Sequence, residues 1–139
     1  CQPLMARLQG DLVDILWCAA SGQLSETDLD FDSRTACTVV MCSGGYPGEY
    51  EKGKPITGIE DAEALSGDGR DVIVFHSGTT INHDGVLVSH GGRVLSVTAL
   101  AEDLASARDL ANAACDKIHF EGGFYRHDIG DRVLTKTGT

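Results

Sequence analysis

The sequence is poor in basic residues, and this excludes several classes of partner. Its 139 residues include 11 Lys and Arg against 21 Asp and Glu, a net charge of −10 at pH 7. A surface this acidic repels nucleic-acid phosphates and anionic lipid headgroups. No apolar run approaches the roughly 18 residues that a membrane span needs. We therefore predict neither a nucleic-acid partner nor a membrane partner.

The sequence also lacks the residue spacings of common metal and disulfide sites. Its five cysteines form no CxxC pair, and its five histidines form no HExxH motif, so we predict no metal site in this chain. The odd number and irregular spacing of the cysteines argue against a disulfide framework. Free thiols favour a reducing compartment, and we predict a cytoplasmic protein.

Apolar residues and glycines are abundant enough to define a fold class. Hydrophobic residues make up 42% of the chain, which excludes wholesale disorder, and 17 glycines indicate many tight turns. The length suits one domain, or one domain with an extra element. The chain begins Cys1-Gln2-Pro3, without an initiator Met. We expect it to be cut from a longer protein.

Two segments have the apolar spacing of helices. The first has an apolar stripe of five residues: Leu4, Leu8, Leu12, Ile15 and Leu16. It predicts a single N-terminal helix that stops at Ser21-Gly22 and must dock on another unit. The second helix is predicted over residues 103–118, with Asp103 as its N-cap. A short helix is predicted at 59–65.

Four segments have the composition of strands. Residues 36–42 predict a strand buried on both faces or nearly so. Residues 71–76, 86–88 and 93–100 predict a β-meander, with turns at Asp84-Gly85 and Gly91-Gly92. We therefore predict an α+β fold: an antiparallel sheet of about four to six strands with one packed helix.

Two features could bind a ligand or could be structural. In the loop after the first strand, Gly44, Gly45, Tyr46 and Pro47 either let backbone N–H groups approach a ligand or form a tight turn. Arg93, directly after Gly91-Gly92, is either a phosphate ligand or a solvent-facing hairpin residue. The sequence alone leaves both alternatives open. Cys42 has no identifiable base, which favours a packing role.

Several motifs follow one another in an order typical of one family. They are SGGYPGEYEKG (43–53), PITG (55–58), VFHSGT (74–79), GGRVL with VTAL (91–100), and IHFEG with YRHDIG (118–130). Together they resemble the C-terminal domain of the glycinamide ribonucleotide synthetase family, the phosphoribosylamine–glycine ligases of the ATP-grasp superfamily. The resemblance covers nearly the whole chain. Two small residues depart from it: Ser77 stands where the family often has Ala, and Ser96 where it often has Gly.

The resemblance implies a division of the chain. Residues 1–22 would be the terminal helix of an ATP-grasp domain, and 23–34 a connector. Residues 35–134 would be the C-terminal domain of the ligase, a small antiparallel β-rich unit of the rudimentary hybrid-motif type. Residues 135–139 would be a tail.

The resemblance also implies a reaction in purine nucleotide biosynthesis. Glycine would be joined to 5-phosphoribosylamine while ATP becomes ADP and phosphate, with Mg or Mn assisting. The ATP cleft and the metal ligands are expected upstream of Cys1, in the rest of the ligase chain. We therefore expect this fragment to contain no catalytic residue, to bind no cofactor alone and to be inactive.

The resemblance implies a role for each candidate. Arg93 would bind the phosphate of the phosphoribosyl group, and the loop of Gly44, Gly45, Tyr46 and Pro47 would line the glycine and amine end. Gly91 and Gly92 would be structural turns. The alternative function is a non-catalytic β-rich binding or interface module. A carrier domain is disfavoured, because neither predicted hairpin tip has a Lys to modify.

Overall fold

The computed structural model describes residues 1–26 and 28–135. The helices are α1 (Gln2–Arg7), α2 (Leu12–Ala20), α3 (Ile59–Glu63), α4 (Leu104–Cys115) and α5 (Asp131–Leu134), with a 3-10 turn at Leu24–Glu26. The strands are β1 (Leu8–Gln9), β2 (Asp30–Phe31), β3 (Thr35–Cys42), β4 (Asp71–His76), β5 (Thr79–Ile81), β6 (Leu87–Ser89) and β7 (Arg93–Ala101). In the part of the chain so described, no helix is both long and apolar enough to cross a membrane. The predicted tail lies outside the described residues, apart from Thr135.

A three-stranded antiparallel sheet forms the centre of the fold, in the order β3-β7-β4. Its middle strand, β7, is buried from Val94 to Ala101, because α4 covers one face and α1 packs on the other. β3 was predicted to be buried on both faces or nearly so, and only one of its faces is fully buried. β3 lies at an edge and alternates, with Cys37, Val39 and Met41 buried and their neighbours only half-buried.

The predicted meander was wrong, although its strand positions were close. β6 pairs with a strand that the sequence analysis missed, β5, and these two form a separate hairpin closed at Asp84-Gly85. β4 pairs with β7 instead of with β6. The turn at Gly91-Gly92 therefore joins two different sheets. The antiparallel α+β class is confirmed, but the single sheet of four to six strands is three smaller sheets.

Helix α4 packs on the central sheet through small side chains. Ala107, Ala111 and Ala114 are fully buried against it, which lets the helix approach the strands closely. The predicted N-cap is confirmed, since the Asp103 carboxylate accepts a hydrogen bond from the Ser106 backbone N–H at 2.8 Å. The helix ends at Cys115, three residues before the predicted end at 118.

The predicted single N-terminal helix is broken in two. Gly10 adopts a φ of +97°, which no helix allows. Asp11 then caps α2, because its carboxylate accepts a hydrogen bond from the Val13 backbone N–H at 2.8 Å. The two halves have different surroundings: α1 packs on β3 and β7, whereas Leu16 and Trp17 of α2 remain largely exposed.

The predicted connector is bound to the N-terminal segment and to the central sheet. Strand β2 pairs with β1, and the Arg7 Nε donates to the Asp32 carbonyl at 2.9 Å. The Arg34 guanidinium binds the carboxylates of Asp32 and Asp71, both at 2.6 Å. Hydrogen bonds from Arg34 hold the pKa of Asp32 at about 2. The connector therefore holds the N-terminal segment against the sheet.

Replacement of Leu95 by Ala should test the assignment of β7 as the centre of the core. Leu95 is fully buried, so Leu95→Ala should lower the free energy of unfolding by about 2–5 kcal/mol through lost burial and a residual cavity. Leu16→Ala is the matched control: this side chain is 59% exposed, and its loss should cost less than about 0.5 kcal/mol. Urea denaturation of both variants measures the difference. Equal losses would contradict the assignment.

Candidate functional site

A shift in strand register sets the position of Arg93. Met41 pairs with Leu95, but Cys42 pairs with Arg93, so Val94 has no partner on β3. This β-bulge places Arg93 beside Cys42 on the face of the sheet opposite α4. Bulges commonly redirect a side chain at a binding site.

Arg93 is an exposed cation without a carboxylate partner. In contrast, Arg34, Lys54, Arg108 and Arg126 each form an ion pair with a neighbouring carboxylate. Within residues 1–26 and 28–135, the Arg93 guanidinium has neither an ion pair nor a hydrogen bond. Its positive charge acts to lower the pKa of the nearby Cys42 thiol, against the larger effect of burial. The group is therefore available to a bound anion.

The loop of residues 43–50 is held against the segment that leads into β7. The buried Ser43 donates its backbone N–H to the Gly92 carbonyl at 2.8 Å and its hydroxyl to the Gly91 carbonyl at 2.9 Å. The Tyr46 ring lies directly on Gly92, where even a Cβ atom would overlap it. The two predicted turn glycines thus bring Tyr46 next to Arg93.

Gly44 and Gly45 each lie where the backbone of this loop packs closely against another carbonyl group. A Cβ at Gly44 would lie 2.8 Å from the Gly122 carbonyl oxygen, so this position allows two backbones to pack closely. Gly45 has a φ of +95°, and a Cβ there would overlap the Glu49 carbonyl oxygen. Gly44 borders a small hollow with Gly122, away from Arg93. A substrate contact at Gly44 and Gly45 stays a prediction.

Arg93 borders two neighbouring depressions of different chemistry. The first, the aromatic groove, has a volume of about 350 Å³. Its lining comes from β3, the loop and the 124–129 segment: Thr38, Val40, Cys42, Tyr46, Pro47, Arg93, Phe124, Tyr125, Arg126 and Ile129. The structure therefore brings together three of the predicted site residues, Arg93, Tyr46 and Pro47. The sequence analysis missed the aromatic contribution of 124–129, although the YRHDIG motif marked the segment.

The second depression, the polar cavity, has a volume of about 480 Å³ and lies between α1 and the sheet. Its lining residues are Gln2, Val40, Ser77, Gly78, Arg93 and Ser96. The sequence analysis assigned no binding role to Gln2, Ser77 or Ser96. Their hydroxyl and amide groups can donate hydrogen bonds to an anion.

The ionisable groups of the aromatic groove favour structural roles. Burial raises the pKa of the Cys42 thiol, which outweighs the opposing effect of Arg93. Burial and a hydrogen bond to Asp116 raise the pKa of Tyr125 as well. Both groups stay neutral near pH 7, so Cys42 is a poor nucleophile here. Among the described residues, no cluster of three or more His, Cys, Asp or Glu could hold a metal ion.

Comparisons with known proteins agree on one family. Residues 36–132 match the family model described as "Phosphoribosylglycinamide synthetase, C domain". The chain is 48% identical over 134 residues to the chloroplastic phosphoribosylamine–glycine ligase of Arabidopsis thaliana, covering 96% of this chain and 25% of that protein. It is 46% identical over 135 residues to the phosphoribosylamine–glycine ligase of Rhodopirellula baltica, covering 96% of this chain and 30% of that protein.

A solved structure supports the same relationship. The fold is similar to the crystal structure of phosphoribosylamine–glycine ligase from Thermotoga maritima, with a TM-score of 0.61 and 33% sequence identity. The likeness covers 83% of this chain and 27% of that one. The chain thus spans only a quarter to three tenths of the length of these relatives.

A double-mutant cycle should test the contact between Tyr46 and Gly92. Gly92→Ala should lower the free energy of unfolding by about 1–3 kcal/mol, because the new methyl group needs the space of the Tyr46 ring. In a Tyr46→Ala background the same substitution should cost clearly less, since the overlapping ring is gone. Urea denaturation of the four proteins gives the coupling. Additive effects would show that the ring and Gly92 are not in contact.

Proposed function

The chain belongs to the phosphoribosylglycinamide synthetase C-domain family, and we propose that it is the C-terminal domain of a phosphoribosylamine–glycine ligase. The similarity to full-length ligases over a quarter to three tenths of their length supports this proposal. In the proposed reaction, the carboxylate of glycine accepts a phosphoryl group from ATP. The amine of 5-phosphoribosylamine then attacks the acyl phosphate and releases inorganic phosphate.

The parent enzyme would use ATP with Mg or Mn, and we place both in the rest of the ligase chain. Mg or Mn would neutralise the charge on the phosphates during transfer. The described residues offer no cluster suited to hold such an ion. The contribution of this chain would therefore be to bind and orient the sugar phosphate, so that its amine lies near the activated glycine.

Arg93 is the residue that we propose binds the phosphate of 5-phosphoribosylamine. The observation that carries this proposal is its exposed guanidinium, which lies at the junction of two depressions without any carboxylate partner in the described chain. An arginine can donate two parallel hydrogen bonds to a phosphate. The adjoining loop with Tyr46 and Pro47, and with Gly44 and Gly45 behind them, would line the glycine and amine end.

The N-terminal segment would join this domain to the ATP-grasp domain. We propose that residues 1–22 are the end of the ATP-grasp domain and that residues 35–134 form a unit of the rudimentary hybrid-motif type. Helix α2 supports this division, because Leu12, Val13, Leu16 and Trp17 leave an apolar face exposed. The packing of α1 on β3 and β7 would make it the contact between the two units.

The compartment is a separate proposal. We propose a cytoplasmic location on the basis of the free cysteines. The name of the Arabidopsis thaliana relative places that protein in the chloroplast.

Replacement of Arg93 in the full-length ligase should test the phosphate assignment. Arg93→Ala should raise the KM for 5-phosphoribosylamine roughly 10- to 100-fold, because a hydrogen bond to a charged group contributes about 1.5–3 kcal/mol. The KM for ATP should stay within about twofold. Arg93→Lys should retain part of the affinity, since it keeps the charge but loses the paired geometry.

The control for this experiment is Arg70→Ala, which removes another exposed arginine that lies away from the aromatic groove and the polar cavity. Its KM values should match those of the unmodified enzyme. An equal rise in the KM for ATP and for 5-phosphoribosylamine in Arg93→Ala would point to a structural Arg93. It would favour a non-catalytic interface role for this face of the domain.

The isolated 139-residue chain should be inactive as a ligase. If ATP and the metal ion bind in the rest of the chain, the fragment should release no ADP above background, even with both glycine and 5-phosphoribosylamine present. A coupled assay for ADP measures this, with the full-length enzyme as the positive control. ADP release by the fragment that requires both substrates would overturn our placement of the catalytic groups.

A further inference from the structure

The polar cavity has a lining unlike the rest of this acidic chain. None of its six lining residues is an Asp or Glu, although the chain has a net charge of −10. Its one charged group is the unpaired Arg93 guanidinium. A cavity free of carboxylates and bordered by a cation is suited to an anionic ligand.

Ser96 adds a hydroxyl group to the wall of the polar cavity. The residue is only 3% exposed, lies in the middle strand between Val40 and Phe75, and lines the cavity. Its hydroxyl forms no hydrogen bond with any residue that the structure describes. Because Ser96 lines the cavity, its hydroxyl can donate a hydrogen bond to a ligand or to water there.

Gln2 adds an amide from the opposite wall of the cavity. It belongs to α1, which packs on β3 and β7, so its side chain is held over the sheet near Arg93. The half-buried Gln2 amide has no hydrogen-bond partner in the described part of the chain. Its NH₂ group can donate two hydrogen bonds.

We propose that Gln2 and Ser96 bind the phosphate group of the sugar-phosphate substrate together with Arg93, so that the phosphate lies in the polar cavity. This inference rests on the proposed function and adds two binding residues to it. The aromatic groove on the other side of Arg93 is a poorer place for a phosphate dianion. Its side chains are largely apolar, and the second cation in its lining, Arg126, already forms an ion pair with Asp128.

The test uses the full-length ligase with Gln2→Leu and Ser96→Ala. Each variant loses a hydrogen-bond donor to a charged group, so the KM for 5-phosphoribosylamine should rise roughly tenfold. The KM values for ATP and glycine should stay within about twofold. Inorganic phosphate, used as a competitive inhibitor against 5-phosphoribosylamine, should lose affinity by a similar factor. This second measurement reports on the phosphate subsite without the rest of the substrate.

Matched controls come from exposed positions of the same residue types. Gln23→Leu and Ser106→Ala should leave all KM values unchanged, since neither residue lines the polar cavity. Gln2→Glu is a second variant of nearly the same shape, and it should weaken binding more than Gln2→Leu because it adds a negative charge beside the phosphate. Circular dichroism and the thermal midpoint confirm that each variant is folded.

The possible outcomes separate this inference from the proposed function. If Arg93→Ala raises the KM for 5-phosphoribosylamine but the Gln2 and Ser96 variants do not, the phosphate lies elsewhere around Arg93 and the inference is wrong. If Gln2→Glu binds inorganic phosphate as well as the unmodified enzyme does, the inference is wrong as well. If the unmodified full-length protein does not join glycine to 5-phosphoribosylamine, the proposed function itself fails.

Discussion

The site depends on one close crossing of two backbones, at Gly78 and Gly91. A Cβ at Gly78 would lie 2.7 Å from the Gly91 Cα atom, so any larger residue would push the two segments apart. The backbone N–H groups of His90 and Gly91 both donate to the Gly78 carbonyl, and the Gly78 N–H donates to the Arg93 carbonyl at 2.8 Å. This crossing fixes the end of β4 against the start of β7. It therefore determines where the Arg93 side chain leaves the backbone.

The distribution of charge around Arg93 makes this position suited to bind an anion. Within the described residues, Arg34, Lys54, Arg108 and Arg126 form ion pairs with carboxylates, whereas Lys52, Arg70, Arg93 and Lys117 do not. Arg93 differs from the other three because it borders two depressions whose linings contain no Asp or Glu. No carboxylate of the described residues neutralises the Arg93 charge in an ion pair. An unpaired cation that borders two depressions free of carboxylates favours binding of an anion from solution.

The parts of the fold that the sequence predicts well are those that local chemistry controls. The strands β3, β4 and β7 follow from apolar runs between turn residues, and the start of α4 follows from the Asp103 cap. The pairing order was not predictable in this way, because hydrogen bonds between β4 and β7 join segments that are distant along the chain. The break at Gly10 was missed because the apolar stripe continues across it at helical spacing.

The same limit applies to the site. Arg93 and the loop around Tyr46 could be named from the sequence, because a glycine-flanked arginine and a glycine-rich loop are visible as motifs. Gln2 could not be named in this way, because it is distant from Arg93 along the chain. The two residues come together only through the packing of α1 on the sheet. The aromatic groove and the polar cavity share Val40 and Arg93, and the one-residue bulge at Val94 sets the register that places Arg93 beside Cys42, where it borders both.

The position of α1 connects the domain boundary with substrate binding. In the proposed parent enzyme, the upstream domain would end in the segment that contains α1, the helix whose Gln2 borders the polar cavity. The same short segment would therefore link the upstream domain to this one and contact the substrate phosphate. Since α1 packs on β3 and β7, and Arg7 at its C-terminal end donates to the Asp32 carbonyl, α1 is held against the sheet. Such a link restricts how far the two domains can shift while the substrate is bound, and rates of group transfer depend strongly on that spacing.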